Sequence, residues 1–371
     1  MMLANIENEA VIRSPESSAD SDPGQTTATE PGWEISEEAF YPPPPAENKT
    51  PYLPDCGENT RTRYHGYYCR SLAYVCNQRD NSVSLVEIPT GRAILNIPVG
   101  NGPYGIDISP DRQFIYVSNM YDATLSVIST RSNQVVHTIA LNIPFLDSRP
   151  AGVKVSPDGK LIYVANYLGN SISVLDAEHE QVLTGIPLPE KSNPLIMDIT
   201  SDGRLAFITL NEADQIAVAD LQANLPVKYL ACDHWPAGIT VSGKNSLALT
   251  ASYSNNTLSV INTAIAEASP ITIAVSRNPV GVIFSHCGRI AYVGNSGDNT
   301  VGIVDVFSHL QTNTIKVGTS PKGLALTEDD QFLVVSNLGE STVSIINTGL
   351  HRVVATAPVG NTPEFIAILN E

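Results

Sequence analysis

From residue 71 onward, apolar and polar residues alternate in short runs, and clusters of Asp, Gly, Asn and Pro separate the runs. Alternation with a period of two predicts half-buried β-strands. The stretch 104–140 shows the pattern. Tyr104–Ser109 reads as a strand, Pro110–Gln113 as a turn and Phe114–Asn119 as a second strand. Met120–Ala123 turns again, Thr124–Ser129 is a third strand, and Gln134–Ala140 is a fourth. The turn residues supply the backbone conformations that tight hairpins need.

The same four-strand pattern recurs. A strand ending near an asparagine appears as YVCN at 74, YVSN at 116, YVAN at 163, FITL at 207, LTAS at 249, YVGN at 292 and VVSN at 334. Successive starts are 42, 47, 44, 42, 43 and 42 residues apart. So regular a period marks a repeat architecture. A lone four-stranded antiparallel sheet cannot hide both faces, whereas sheets stacked radially around an axis can. The expected fold class is therefore all-β, a seven-bladed β-propeller with four-stranded antiparallel blades. Helical repeats of similar length do not fit, because the period within units is two and β-branched residues dominate.

The termini predict how the ring closes. The first unit begins at its second strand, Leu72–Asn77, and lacks an inner strand of its own. The chain ends on Glu364–Leu369, which matches the inner strands at Gly105 and Gly323. This C-terminal strand is expected to complete the first blade, which removes the open edges of a linear stack.

Composition sharpens this picture. Of 371 residues, 16% are charged, against ~25% in typical globular domains. Low charge density suits sheets buried on both faces. Acidic residues number 38 and basic residues 21, a net charge of −17. That balance disfavours nucleic acid, whose phosphates call for a basic surface. It also disfavours anionic lipid. Residues 1–65 hold twelve acidic residues, four basic residues and nine prolines, so they carry −8 and leave −9 on the rest. They lack apolar periodicity and read as a disordered acidic tail, with a polyproline stretch at Pro42–Pro45. The expected division is a tail at 1–65 and a propeller at 66–371.

No cationic n-region with an apolar h-region opens the chain, and no run reaches the ~18 apolar residues of a membrane span. A soluble cytoplasmic protein is expected, with export open if the true start lies elsewhere. Oligomeric state is left open. The five cysteines form no CxxC pair and have no histidine at zinc-like spacing. No metal site and no cofactor are implied. Cys76, Cys232 and Cys287 read as small buried hydrophobes. Cys56 and Cys69 would pair in an exported protein and stay as thiols in the cytoplasm.

Four segments carry a family resemblance. They are RPAGVKVSPDGK at 149–160, YVANYLGNSISVLDAEHEQV at 163–182, YVGNSGDNTVGIVDV at 292–306 and NTGLHRVVATAPVGNTPEFIAI at 347–368. Over about residues 71–371 the chain resembles the YVTN family of β-propeller repeats. The resemblance implies a propeller whose ligands sit at one mouth of the central channel. Similar proteins include surface-layer-associated proteins, lactonase-like enzymes, cofactor-bearing redox domains and binding scaffolds, so the resemblance speaks for fold more than for chemistry.

Aligning the units on Pro103, Pro150, Pro194, Pro236, Pro279, Pro321 and Pro363 nominates the mouth residues. The ligand-binding candidates are Tyr104, Arg149, Trp235, Arg277 and Lys322, joined by Tyr121, Tyr167 and Tyr253 from the next loop. Asp122, Glu212 and Asp298 belong to the same second ring. Cations in an acidic protein would attract carboxylate or phosphate, and the aromatics would stack on a ring. Glu364 and His234 are candidates for general base and acid, with Lys322 as oxyanion stabiliser. The plainer reading is that Lys322 and Glu364 simply pair. No nucleophile elbow, GxGxxG, P-loop or HExxH occurs. The centres of successive inner strands hold Asp107, Lys154 and Asp198, then Thr240, Ile283, Ala325 and Ala367. The three charges read as a structural cluster or as a functional relay.

Two functions are compatible with these features. The first is a binding or interaction propeller that presents a variable loop face to a small anionic or aromatic ligand or to a protein partner. The alternative is a propeller enzyme acting on a small organic substrate at the mouth, as a lactonase-like hydrolase or as an isomerase or cyclase.

Overall fold

A computed structural model describes residues 71–141, 149–265 and 267–370, with the side chains of 267–270 excepted. The acidic tail expected at 1–65, with Cys56, lies outside the described residues, as does Cys69. The described chain forms 28 strands in seven four-stranded antiparallel sheets. In the second blade the strands are Pro103–Ile108, Phe114–Asn119, Thr124–Ser129 and Gln134–Ala140, counted outward from the axis.

The inner strands touch in one closed cycle: each packs on that of the next blade, and the last packs on the first. The strand Pro363–Asn370 completes the first blade by pairing antiparallel with Ser71–Asn77, with Leu369 opposite Leu72 and Ala367 opposite Tyr74. This blade has no turn joining its two innermost strands. Arg112, from the second blade, reaches over the gap. It binds Glu328 of the seventh blade at 2.5 Å and the carbonyl of Asn370 at 2.9 Å.

Apolar residues are buried between blades rather than within them. Tyr116, Leu125 and Val127 of the second blade pack with Val153, Ile162 and Val164 of the third. Each such side chain contributes roughly 1.5–3 kcal/mol when fully buried. Tyrosines of the repeat motif tie neighbours together: Tyr74 donates its hydroxyl to Asn133 of the second blade at 2.6 Å.

The motif asparagine has a local role. The Asn119 amide donates to Thr124 Oγ1 at 2.9 Å and to Ser126 Oγ at 2.8 Å on the adjacent strand. Asn77, Asn166 and Asn337 bond the matching hydroxyl pairs of their own blades. The fourth blade carries Leu210 instead, and its counterpart of Ser126 is Ala217. Both are fully buried. A polar pair has been exchanged for an apolar pair, which leaves no group unsatisfied.

Glycine is required where the inner strands converge. A Cβ on Gly281 would lie 2.1 Å from the backbone oxygen of Lys322, and one on Gly105 would lie 2.1 Å from that of Ala151.

Cys232 and Cys287 are each only partly buried, short of the full burial expected of them. Cys287 is disulfide-bonded. It sits in the turn Ser285–Gly288 rather than in a strand. Cys76 and Cys232 are free thiols. No helix among the described residues is long and apolar enough to cross a membrane.

Candidate functional site

All seven inner strands run in the same direction along the axis, so the channel has an entry end, where the strands begin at proline, and an exit end, where they turn back. Most residues just before the prolines have positive φ: Gly102, Asn193, Trp235, Asn278, Ser320 and Thr362. Gly102, Asn193 and Asn278 are residue types that tolerate the left-handed region, whereas Trp235 is bulky and Thr362 β-branched there. Its ring lies 6.1 Å from that of Tyr253.

Three of the nominated residues meet at the entry end, on three consecutive blades. Lys322 of the seventh blade is ion-paired with Glu364 of the first. The same ammonium lies 4.7 Å from the ring centre of Tyr104 on the second. Phe365 packs edge-on against Tyr104 at 5.4 Å. Tyr104 and Glu364 are each only 1% exposed. Burial works against the Lys322 charge, but Glu364 and Tyr104 more than offset it and hold the lysine above its usual range. Burial pushes the Glu364 carboxyl up, against the pull of Lys322. It also pushes the Tyr104 phenol up to about 12. The sequence suggested a surface pair, but the structure buries it.

The remaining candidates do not join this cluster. His234 is exposed and pairs with Asp214, which also accepts the Trp235 backbone N–H at 2.9 Å. Glu364 and His234 therefore each serve a different partner, on the first and fifth blades. Arg277 is bound by Asp298 at 2.6 Å on the exposed rim. Tyr167 is half-buried, its N–H donates to the Arg149 carbonyl at 2.8 Å, and burial raises its phenol pKa. Tyr121 is half-exposed and covers Gly102. Arg149 makes no ion pair with any described residue, and no group of three or more His, Cys, Asp or Glu side chains among the described residues is placed to hold a metal ion.

A cavity of about 370 Å³ occupies the channel toward the exit end. None of the residues that follow the prolines lines it. One wall carries Lys154, Asp198 and Thr240, and the opposite wall is Val282, Ile283, Phe284, Leu324, Phe365 and Ile366. Lys244 and His286, both exposed, stand at the opening. Lys154 Nζ lies 3.2 Å from Asp198 Oδ1. Asp198 Oδ2 accepts the Val241 N–H at 2.8 Å, and Asp107 Oδ2 accepts the Val155 N–H at 2.8 Å. Each aspartate thus clips the inner strand of the following blade. Asp198 and then Asp107 raise the Lys154 pKa, while burial raises that of Asp107 against the pull of Lys154.

The sequence marked Lys154 and Asp198 by their unusual charge but gave no sign of the cavity beside them. Its apolar wall follows from ordinary strand residues, and its width follows from the glycines that set the inner-strand spacing. Asp214 was missed because nothing in its unit distinguishes it from a turn aspartate.

Comparisons with known proteins agree with this architecture. The family described as lactonase, 7-bladed beta-propeller, matches residues 74–225, which cover the second and third blades and most of the strands of the first and fourth. The chain is similar to a solved structure of Kuenenia stuttgartiensis hydrazine synthase, with a TM-score of 0.65 and 20% identity over 74% of this chain and 92% of that one. It is also similar to a functionally unknown protein from Desulfotomaculum acetoxidans, with a TM-score of 0.70 and 17% identity over 81% of this chain and 99% of that one. At these identities the likeness is one of fold. No curated protein matches the chain.

Proposed function

We propose that this propeller binds a small molecule in its central channel and that the ligand enters from the exit end. The observation that supports the reading is the cavity, about 370 Å³, lined mostly by apolar strand residues with Lys154, Asp198 and Thr240 among them. Its size falls within the roughly 300–1,000 Å³ of small-molecule sites. The entry end is less suited to this work. Lys322, Glu364 and Tyr104 are committed to one another there, and Arg277 is committed to Asp298. Two of the three cations that argued for an anionic ligand at that mouth are thereby neutralised.

A thermal-shift screen of small metabolites tests the reading, run on the full chain and on Ile283→Trp, which fills the cavity. Compounds that stabilise the parent but not the variant are expected. If every stabilising compound acts equally on both proteins, the channel is not the site.

The match to the lactonase family over residues 74–225 supports a second reading, a hydrolase acting on a cyclic ester. Proton release from γ- and δ-lactones, followed with a pH indicator, decides it. Turnover that Ile283→Trp abolishes would favour the enzyme over the binder.

A further inference from the structure

Among the charged groups lining the channel, Lys154 alone combines an inner-strand position with unused hydrogen-bonding capacity. Asp198 already accepts from three donors: the Ile199 N–H at 3.0 Å, the Val241 N–H at 2.8 Å and Lys154. Asp107 is turned toward the third blade, where it holds the Val155 N–H. The Lys154 ammonium has three N–H groups and makes one hydrogen bond among the described residues, to Asp198. Its side chain is 33% exposed, and it lines the cavity. The polar groups of the lining therefore offer the Lys154 donor, with the Thr240 hydroxyl beside it.

Charge narrows the ligand class further. Two carboxylates flank one ammonium, so an anion brought to Lys154 meets an excess of negative charge. A cation is drawn by that same excess but meets the Lys154 ammonium at close range. An uncharged acceptor meets neither obstacle. Across the cavity, Ile283, Leu324 and Ile366 present only hydrocarbon.

We propose that Lys154 is the recognition point of the channel. It would donate to an uncharged acceptor, an amide carbonyl, on a ligand whose apolar body lies against Ile283, Leu324 and Ile366. The proposal rests on the channel reading above and adds the chemistry of the ligand's polar end.

Three probes with one ring and different heads test it: cyclohexanecarboxamide, cyclohexanecarboxylate and cyclohexylmethylamine. They are titrated into the full chain at neutral pH and followed by ligand-observed NMR. The amide is expected to bind at least ten-fold more tightly than either charged probe. Lys154→Met should weaken amide binding at least ten-fold and tighten binding of the amine, whose obstacle it removes. Removing the ammonium strands two carboxylates, so the double variant Asp107→Asn, Lys154→Met provides the same readout with one of those charges removed. Tightest binding by the carboxylate, or amide binding indifferent to Lys154 in both variants, would overturn the head-group assignment and leave the channel reading intact. If none of the probes binds, the channel reading falls with it.

Discussion

Lys322 and Glu364 form an ion pair across the seam between the seventh and first blades, at a point where the Glu364 side chain is 1% exposed. The pair holds the C-terminal strand, whose pairing with Ser71–Asn77 closes the ring, against the blade preceding it. Breaking a buried pair leaves one uncompensated charge, at a cost of about 3–5 kcal/mol. Lys322→Met and Glu364→Gln should each destabilise the protein by that order in urea unfolding. The double variant should recover a substantial part of the loss. Strict additivity of the two single effects would show that the pair does not act as a unit.

Closure also depends on the strand itself. Deleting 363–371 removes the inner strand of the first blade and exposes the facing edge of Ser71–Asn77. Cooperative thermal unfolding should disappear from the calorimetric trace. Arg112→Ala, by contrast, cuts a partly exposed clasp to Glu328 and Asn370 and should cost under about 1 kcal/mol. A truncated chain that melts as sharply as the parent would refute the closure mechanism.

The fourth blade suggests a third experiment. Asn119→Leu alone copies Leu210 into the second blade but takes the amide donor from the Thr124 hydroxyl and leaves Ser126 Oγ only the long bond from the Gly100 N–H, at 3.4 Å. The expected loss is about 1–3 kcal/mol, typical of buried groups left unsatisfied. Adding Ser126→Ala should return part of it, because the pair then matches the Leu210 and Ala217 arrangement. The comparison is made by denaturant unfolding of the two variants and the parent.

The fold was legible in the sequence because a period of two within units and a period near 42 between them leave few architectures. In the second blade, three of the four expected strands have the observed bounds, and the first differs by one residue at each end. Ring closure followed from the missing inner strand at one terminus and the surplus one at the other. The candidate site was less legible. Alignment on prolines gathers residues at equal heights along the axis, but it does not say which side chains turn into the channel and which turn toward a neighbouring blade. Tyr104 and Glu364 turn inward and are buried, while His234 and Arg277 stay on the rim with their own aspartates. A cavity depends on strand spacing in three dimensions, and no local pattern encodes it.

Several loop aspartates predict the behaviour in acid. Asp80 accepts the side-chain amide of Asn361 at 2.8 Å and its backbone N–H at 2.7 Å, and these bonds hold its pKa below the ordinary value. Asp158 and Asp202 are lowered in the same way, by Ser156 and Thr200 together with backbone N–H groups. A carboxyl whose pKa is depressed on folding contributes stability above its unfolded pKa and loses it as pH falls through the folded value. The melting temperature should therefore fall as the pH drops below the ordinary aspartate range, about 4. Asp80→Asn should show a shallower fall there. An identical acid limb in parent and variant would remove Asp80 from the account.

The cysteines make the last prediction, and it bears on where the protein resides. In the folded chain Cys76 is fully buried and burial pushes its thiol up, while burial pushes the Cys232 thiol up to about 12. Neither should react readily with iodoacetamide at neutral pH, because the thiolate is the nucleophile. In denaturant without reductant, both should be alkylated and Cys287 should not. Cys287 should become available only after reduction, as read by peptide mass spectrometry. A stable disulfide belongs to an oxidising compartment, whereas a reducing cytoplasm would keep the thiol free. Protein isolated with blocked thiols from its native source thus tests the compartment directly. Cys287 recovered as a labelled thiol would return the protein to the cytoplasm that its N-terminal sequence suggested, and Cys287 recovered in a disulfide would place it outside.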